Sequence, residues 1–151
     1  MAGRWTVRPA SIDDAEAISR VIVQAVEETN AKDYPPSVIA EVIKNFSPER
    51  VAERLPTRQV FVATEQGAVV GTGSLEGTTI RSVFVLPRFE RRGIGRALMD
   101  HIEGLARSAG VSRLEVPSSI GAEGFYRRLG YVAIRDEHYG AERTILMGKA
   151  L

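Results

Sequence analysis

Residues 83–99 read V-F-V-L-P-R-F-E-R-R-G-I-G-R-A-L-M. An apolar strand runs into a loop rich in arginine, two glycines follow one residue apart, and an amphipathic helix begins. Glycine lacks Cβ, so the backbone can turn sharply and approach a ligand closely. The first amides of a helix have no intrahelical acceptor and sit at the positive end of its dipole. This combination suits a pyrophosphate. Arg88, Arg91, Arg92 and Arg96 add positive charge around it, opposed only by Glu90.

Three glycine-loop readings compete. A P-loop ends in Gly-Lys-Ser/Thr, and no lysine follows Gly95, so that reading is rejected. A dinucleotide fingerprint wants its first glycine directly after the strand and a third at position 98. Here residues 87–92 intervene and position 98 is Leu98. Coenzyme A, with a pyrophosphate and a ribose 3′-phosphate, is the ligand that an arginine-rich loop suits, because guanidinium binds phosphate in bidentate geometry. The bland alternative is an ordinary turn on a solvated basic face.

Composition narrows the class. A chain of 151 residues reads as a single domain, residues 1–151, and its 44% hydrophobic content suffices for a proper core. The net charge of +1 gives no global bias toward nucleic acid or an anionic membrane, so the basic cluster is local. The absence of cysteine excludes disulfides, thiolate metal sites and an acyl-cysteine intermediate, and fits a cytoplasmic protein. No apolar run has signal-peptide length, and none could span a membrane. No metal is expected: His101 and His138 stand apart, without other ligands.

Periodicity places the elements. Residues 5–8 read as a strand stopped by Pro9. Ser11 caps a helix over 12–28, followed by a loop over 30–36 and short helices over 37–45 and 48–55. Runs at 59–64 and 68–75 flank Glu65-Gln66-Gly67, a hairpin turn. A strand over 80–86 leads through the glycine loop to a helix over 94–109, with Leu98, Ile102 and Leu105 on its buried face and Gly110 as C-cap. A strand over 113–116 stopped by Pro117, a helix over 121–129, and a final antiparallel pair over 131–135 and 144–147 complete the chain. The fold class is α+β: a mixed, mostly antiparallel sheet with one central β-α-β crossover and helices on both faces.

At this point the chain resembles the GNAT superfamily of acyl-CoA-dependent N-acetyltransferases. That family's loop pattern, Gln/Arg-x-x-Gly-x-Gly/Ala, stands here as Glu90-Arg91-Arg92-Gly93-Ile94-Gly95, departing only at Glu90. A second pattern, A-x-x-F-Y-x-x-x-G-Y/F, stands as Ala122, Phe125, Tyr126, Gly130 and Tyr131. The resemblance implies transfer of an acetyl group from acetyl-CoA to a primary amine by direct attack. Amides of Arg91, Arg92, Gly93, Ile94, Gly95 and Arg96 would hold the pyrophosphate. A bulge around Phe84 and Val85 would part that strand from the next, near Glu115 and Val116, leaving a slot for the pantetheine arm. The acceptor would be a small-molecule or peptide amine, and a homodimer is compatible with the fold. A non-catalytic acyl-CoA-binding sensor is the rival reading.

Two side chains carry the chemistry under this resemblance. Tyr126 lies on an apolar face with Ala122, Phe125 and Leu129, where a tyrosine is ordinarily a core residue with a satisfied hydroxyl. The family implies instead a general acid that protonates the leaving thiolate. Many family members place a carboxylate base at the start of the bulged strand. This chain has Thr78 and Thr79 there, so Glu76, the nearest carboxylate, is the candidate, with a turn residue or a water chain as alternatives. Ser118 and Ser119 read as caps. Asp33 and Tyr34 stand either in the acceptor pocket or as plain loop residues.

Overall fold

The computed structural model describes residues 5–151. The β-branched runs after Gln59 fold into an antiparallel meander of β2 (Gln59–Glu65), β3 (Ala68–Glu76) and β4 (Thr79–Val85). Gln66 and Gly67 take left-handed backbone at φ 52° and 82°, the pairing that a tight hairpin turn demands. β1 (Trp5–Pro9) adds antiparallel to β2. β5 (Arg113–Ser118) joins β4 in parallel, β7 (Glu142–Ala150) pairs with β5, and β6 (Val132–Tyr139) forms the far edge, giving the order β1-β2-β3-β4-β5-β7-β6. Among the described residues only the β4–β5 contact is parallel, and it needs the crossover helix α4 (Ile94–Ser108).

Both faces of the sheet are covered, so β2 and β3 are buried continuously along their middles rather than at alternate residues. On one face Leu98, Met99 and Ile102 of α4 pack with Phe61, Ala63, Ile80 and Leu114. On the other, Ile18, Ile22 and Val26 of α1 (Ala15–Glu28) pack with Val62 and with Val51 of α3 (Pro48–Arg54). α2 (Pro36–Asn45) and α5 (Glu123–Arg128) flank the cleft described below. The start of α1 is fixed by Asp14, whose carboxylate accepts from Ser11 N–H at 2.8 Å and from both Arg8 terminal nitrogens at 2.9 and 3.0 Å.

Four expectations are corrected. Leu105 is exposed, and Ala106 takes its place on the buried face of α4. The helix is rotated because Glu103 is also buried, accepting from Tyr131 Oη at 2.7 Å and from Lys149 Nζ at 3.0 Å. Pro117 does not stop β5, which runs on to Ser118. The last two strands are longer than their apolar runs, because β6 is an exposed edge that needs no apolar alternation. The bulge of β4 lies at Ser82 and Val83, which together oppose the gap between Thr72 and Ser74, two residues before the expected Phe84 and Val85. Ser82 adopts φ 55° there.

Candidate active site

β4 and β5 share a single pair, Thr79 with Glu115, where Glu115 N–H donates to Thr78 O at 3.1 Å. Beyond it the strands part. The bulge at Ser82 bends β4 away. On the other side, Glu115 N–H points toward β4, so the nitrogen of Pro117, two residues on, points the same way and has no hydrogen to give. Proline therefore ends pairing toward β4 while β5 stays paired with β7 through Ser118. Leu86 N–H donates to Val70 O at 2.9 Å. By alternation the Val85 amide faces the open slot.

The glycine loop closes one end of this slot. Arg91 and Gly93 have φ of 63° and 87°. The latter is readily held only by glycine, and it turns the chain into α4 without a side-chain cap. The first helical bond is from Ala97 N–H to Gly93 O, so the amides of Ile94, Gly95 and Arg96 have no helical acceptor. A Cβ on Gly95 would stand 3.1 Å from Phe125 Cζ, so only glycine lets this turn lie against the aromatic wall without displacing it.

The resulting cleft holds about 370 Å³ and is lined by residues that include Phe84, Val85, Glu90, Arg91, Gly93, Gly95 and Arg96. The side chains of Arg92 and Ile94 do not line it. Arg92 turns to Glu65, 2.7 Å away, and stacks over Phe89. Ile94 is buried in the core against the backbone of Gly71. What these two bring to the loop is backbone alone.

A second cavity of about 320 Å³ lies across the slot, between α2, α3, the bulge and the β6–β7 hairpin. The two cavities share Phe84, Ala122, Tyr126, Ser119, Val83 and Asn30. Tyr126 thus stands in the wall between them. Its ring is edge-on to Phe125 at 5.1 Å and to Tyr131 at 5.9 Å, and burial pushes its hydroxyl pKa up. Among the described residues no protein group hydrogen-bonds that hydroxyl, so it is not the satisfied core tyrosine that its apolar face suggested.

Glu76 lines neither cavity. It ends β3 with its carboxylate 3.3 Å from Arg81 Nε and 3.8 Å from Arg58 Nε. Among the described residues the single carboxylate lining the second cavity is Glu142, whose pKa burial raises. Sequence reasoning missed it, because Glu142 reads locally as a charge beside a turn and reaches the cavity only through the return of β7 alongside β5. Arg54, Arg58 and Arg81, which also line this cavity, had no local signal either. Tyr34 does line it. Its hydroxyl donates to Arg143 O at 2.7 Å and accepts from Ile120 N–H at 3.1 Å, tying the loop after α1 to two distant segments. Asp33 lies against Gly121 instead, lining neither cavity. Ser118 Oγ donates to Ser119 O at 2.7 Å.

Among the described residues no group of three or more acidic or histidine side chains could hold a metal ion, and no helix is long and apolar enough to cross a membrane.

Residues 30–146 match the acetyltransferase (GNAT) domain family. The sequence is 31% identical to an uncharacterized N-acetyltransferase of Chlorobaculum tepidum over 138 residues, 88% of this chain and 79% of the relative. It is 30% identical to the uncharacterized N-acetyltransferase YafP of Escherichia coli, over 82% of this chain and 79% of that one. The crystal structure of a GCN5-related N-acetyltransferase from Rhodopseudomonas palustris superposes with a TM-score of 0.93 at 28% identity, covering 100% of this chain and 98% of the other. The PaiA N-acetyltransferase of Thermoplasma acidophilum, in complex with coenzyme A, shares the fold with a TM-score of 0.84 at 16% identity, over 99% and 100% of the two chains.

Proposed function

Since the chain belongs to the GNAT family of N-acetyltransferases, we propose that it transfers an acetyl group from acetyl-CoA to a primary amine by direct attack, with Tyr126 as general acid. The observation that carries this reading is the position of Tyr126 in the wall shared by two cavities, one suited to the acyl donor and the other to the acceptor.

The first cleft fits the donor. Unpaired amides at the start of α4, Arg91 and Arg96 on its rim and the missing Cβ of Gly95 together make a seat for a pyrophosphate. The unpartnered edge of β4, with the Val85 amide facing outward, offers backbone groups to an extended amide-bearing arm. Bound there, acetyl-CoA supplies the acyl group as a thioester.

The residues then divide the proton work. An alkylammonium acceptor has no lone pair until it loses a proton. Glu142 is placed to take it, and its raised pKa makes it a better base than an exposed glutamate. The amine nitrogen bonds to the acetyl carbon, giving a tetrahedral intermediate; as it collapses the carbon–sulfur bond breaks and the nitrogen gives up its second proton to solvent. The Tyr126 hydroxyl gives its proton to the departing sulfur and regains one from solvent. Burial keeps that hydroxyl protonated at neutral pH. Glu76 stays outside this scheme as the counter-ion of Arg81 and Arg58.

The test is amine-dependent release of free thiol from acetyl-CoA across a panel of primary amines, with the acetylated product identified by mass spectrometry. Tight acetyl-CoA binding with no amine-dependent thiol release would mark an acyl-CoA-binding module and sink the transfer reading.

A further inference from the structure

The acceptor cavity carries an imbalance of charge that the transfer chemistry does not use. Among the described residues three arginines line it, Arg54, Arg58 and Arg81, against one carboxylate, Glu142. None of the three lines the donor cleft, so the phosphates of coenzyme A do not account for them. Arg58 and Arg81 share Glu76 as their counter-ion, and the Arg58 contact at 3.8 Å is too long for a hydrogen bond. Arg54 makes no ion pair among the described residues.

The guanidinium groups are also short of acceptors. Arg54 Nη1 and Arg58 Nε are buried without a hydrogen-bond partner. Arg58 Nη1 makes one long contact, 3.5 Å to Ser82 Oγ. Buried polar groups in native proteins are almost always paired, so an unpaired guanidinium in a cavity wall calls for a partner from outside. Arg54 is held rather than floppy: its guanidinium lies over the Phe46 ring at 4.8 Å, and Phe46 packs edge-on against Phe84 at 6.0 Å. That chain of contacts leads to the wall where acyl transfer takes place. Burial lowers the pKa of both Arg54 and Arg58, helped by the neighbouring Arg50 at the first and by Arg54 and Arg81 at the second. Arginine starts so high that both stay charged at neutral pH. The cavity therefore holds uncompensated positive charge in a partly desolvated wall, where an anion is bound best.

Resting on the transfer reading above, we propose that the amine acceptor also carries an anionic head group, a carboxylate or a phosphate, held by Arg54 with Arg58 and Arg81 beside it. Glu142 then faces the ammonium of the same molecule, so the cavity matches a small zwitterion and disfavours a polyamine. The volume of about 320 Å³ suits a small molecule.

The experiment compares matched acceptors on the intact enzyme: amino acids, their carboxamides, their phosphonate counterparts, and diamines. The anionic amines should exceed the carboxamides and diamines in kcat/KM by about 10–100-fold, the scale of a charge-assisted contact, and whichever of carboxylate and phosphonate leads identifies the head group. Arg54→Gln should lower kcat/KM for the anionic amine by at least tenfold more than for its carboxamide, and Arg54→Lys should restore part of the difference. Thermal melts confirm that both variants fold. Carboxamides or diamines that match the anionic amines in the wild type overturn the proposal, as does an Arg54→Gln variant that affects both classes alike. Calorimetric titration of the same compounds into the protein saturated with coenzyme A reads the anion preference without turnover. Loss of the preference there counts against the anion site, whereas absence of thiol release in the kinetic arm counts against acetyl transfer.

Discussion

Tyr126→Phe removes one oxygen atom and leaves the ring. The edge-on contacts to Phe125 and Tyr131 survive, since they involve the ring alone. No internal hydrogen bond is lost, because no protein group bonds the hydroxyl among the described residues. Stability should therefore change by less than about 0.5 kcal/mol, or within roughly 2 °C in Tm for a chain of this size. Catalysis should respond very differently. General-acid contributions run at about 10²–10⁴-fold, equivalent to roughly 3–5 kcal/mol of barrier. The proton is required as the carbon–sulfur bond breaks and not when the donor binds, so kcat should fall while KM for acetyl-CoA stays within about twofold to threefold. Thiol release at saturating substrate and a thermal melt on the same preparation measure both quantities. Burial raises the Tyr126 pKa, so wild-type activity should show no loss from tyrosine ionisation up to about pH 10. A variant with wild-type kcat and a Tm lowered by several degrees would refute the argument and return Tyr126 to the core.

Gly93→Ala forces a Cβ onto a residue at φ 87°, and should destabilise by about 1–2 kcal/mol and weaken coenzyme A binding measured by calorimetry, since the left-handed turn aims the first amides of α4. Glu142→Gln should abolish the acid limb of the kcat/KM profile. In the wild type the active form is the carboxylate, so activity should fall as pH drops through a pKa above the usual glutamate range, a limb absent in the variant. Asp14 has its pKa lowered chiefly by the Arg8 hydrogen bond, so the stability it contributes is present at neutral pH and lost as pH falls through that depressed pKa. Asp14→Asn should cost about 1–2 kcal/mol at pH 7, discounted for the half-exposed Arg8, and the gap to wild type in thermal melts should narrow as pH falls below the usual aspartate range.

The parts of the site legible in sequence are those whose chemistry is local. The turn at Gly93 and Gly95, the free amides of α4 and the face bearing Phe125 and Tyr126 all follow from neighbours within a few residues. Arg92 reads as a phosphate ligand in sequence because its partner, Glu65, lies 27 residues earlier at the end of β2, and composition cannot say which of four arginines is already engaged. Spacing alone puts Leu105 in the core, whereas the rotation of α4 is decided by a buried carboxylate answering Tyr131 and Lys149 from the other end of the sheet. Glu142 and Arg54 meet the same cavity from elements far apart in the chain, β7 and α3. Periodicity reports which side of an element is buried, and it is silent on which distant element comes to cover it.

Pro117 has a consequence for how the molecule avoids sticking to itself. A strand that has parted from its neighbour is a bare edge, and bare edges recruit strands from other chains. Here the edge of β4 lies at the centre of the sheet, roofed by α5 and the glycine loop, where a whole foreign strand has no room while a thin flexible arm has. The proline keeps the two strands from zipping shut on each other, and the surrounding walls keep strangers out. Amide hydrogen exchange should expose this asymmetry along one strand: in the free protein the Val85 amide exchanges faster than the Phe84 and Leu86 amides turned toward β3, and coenzyme A closes the difference.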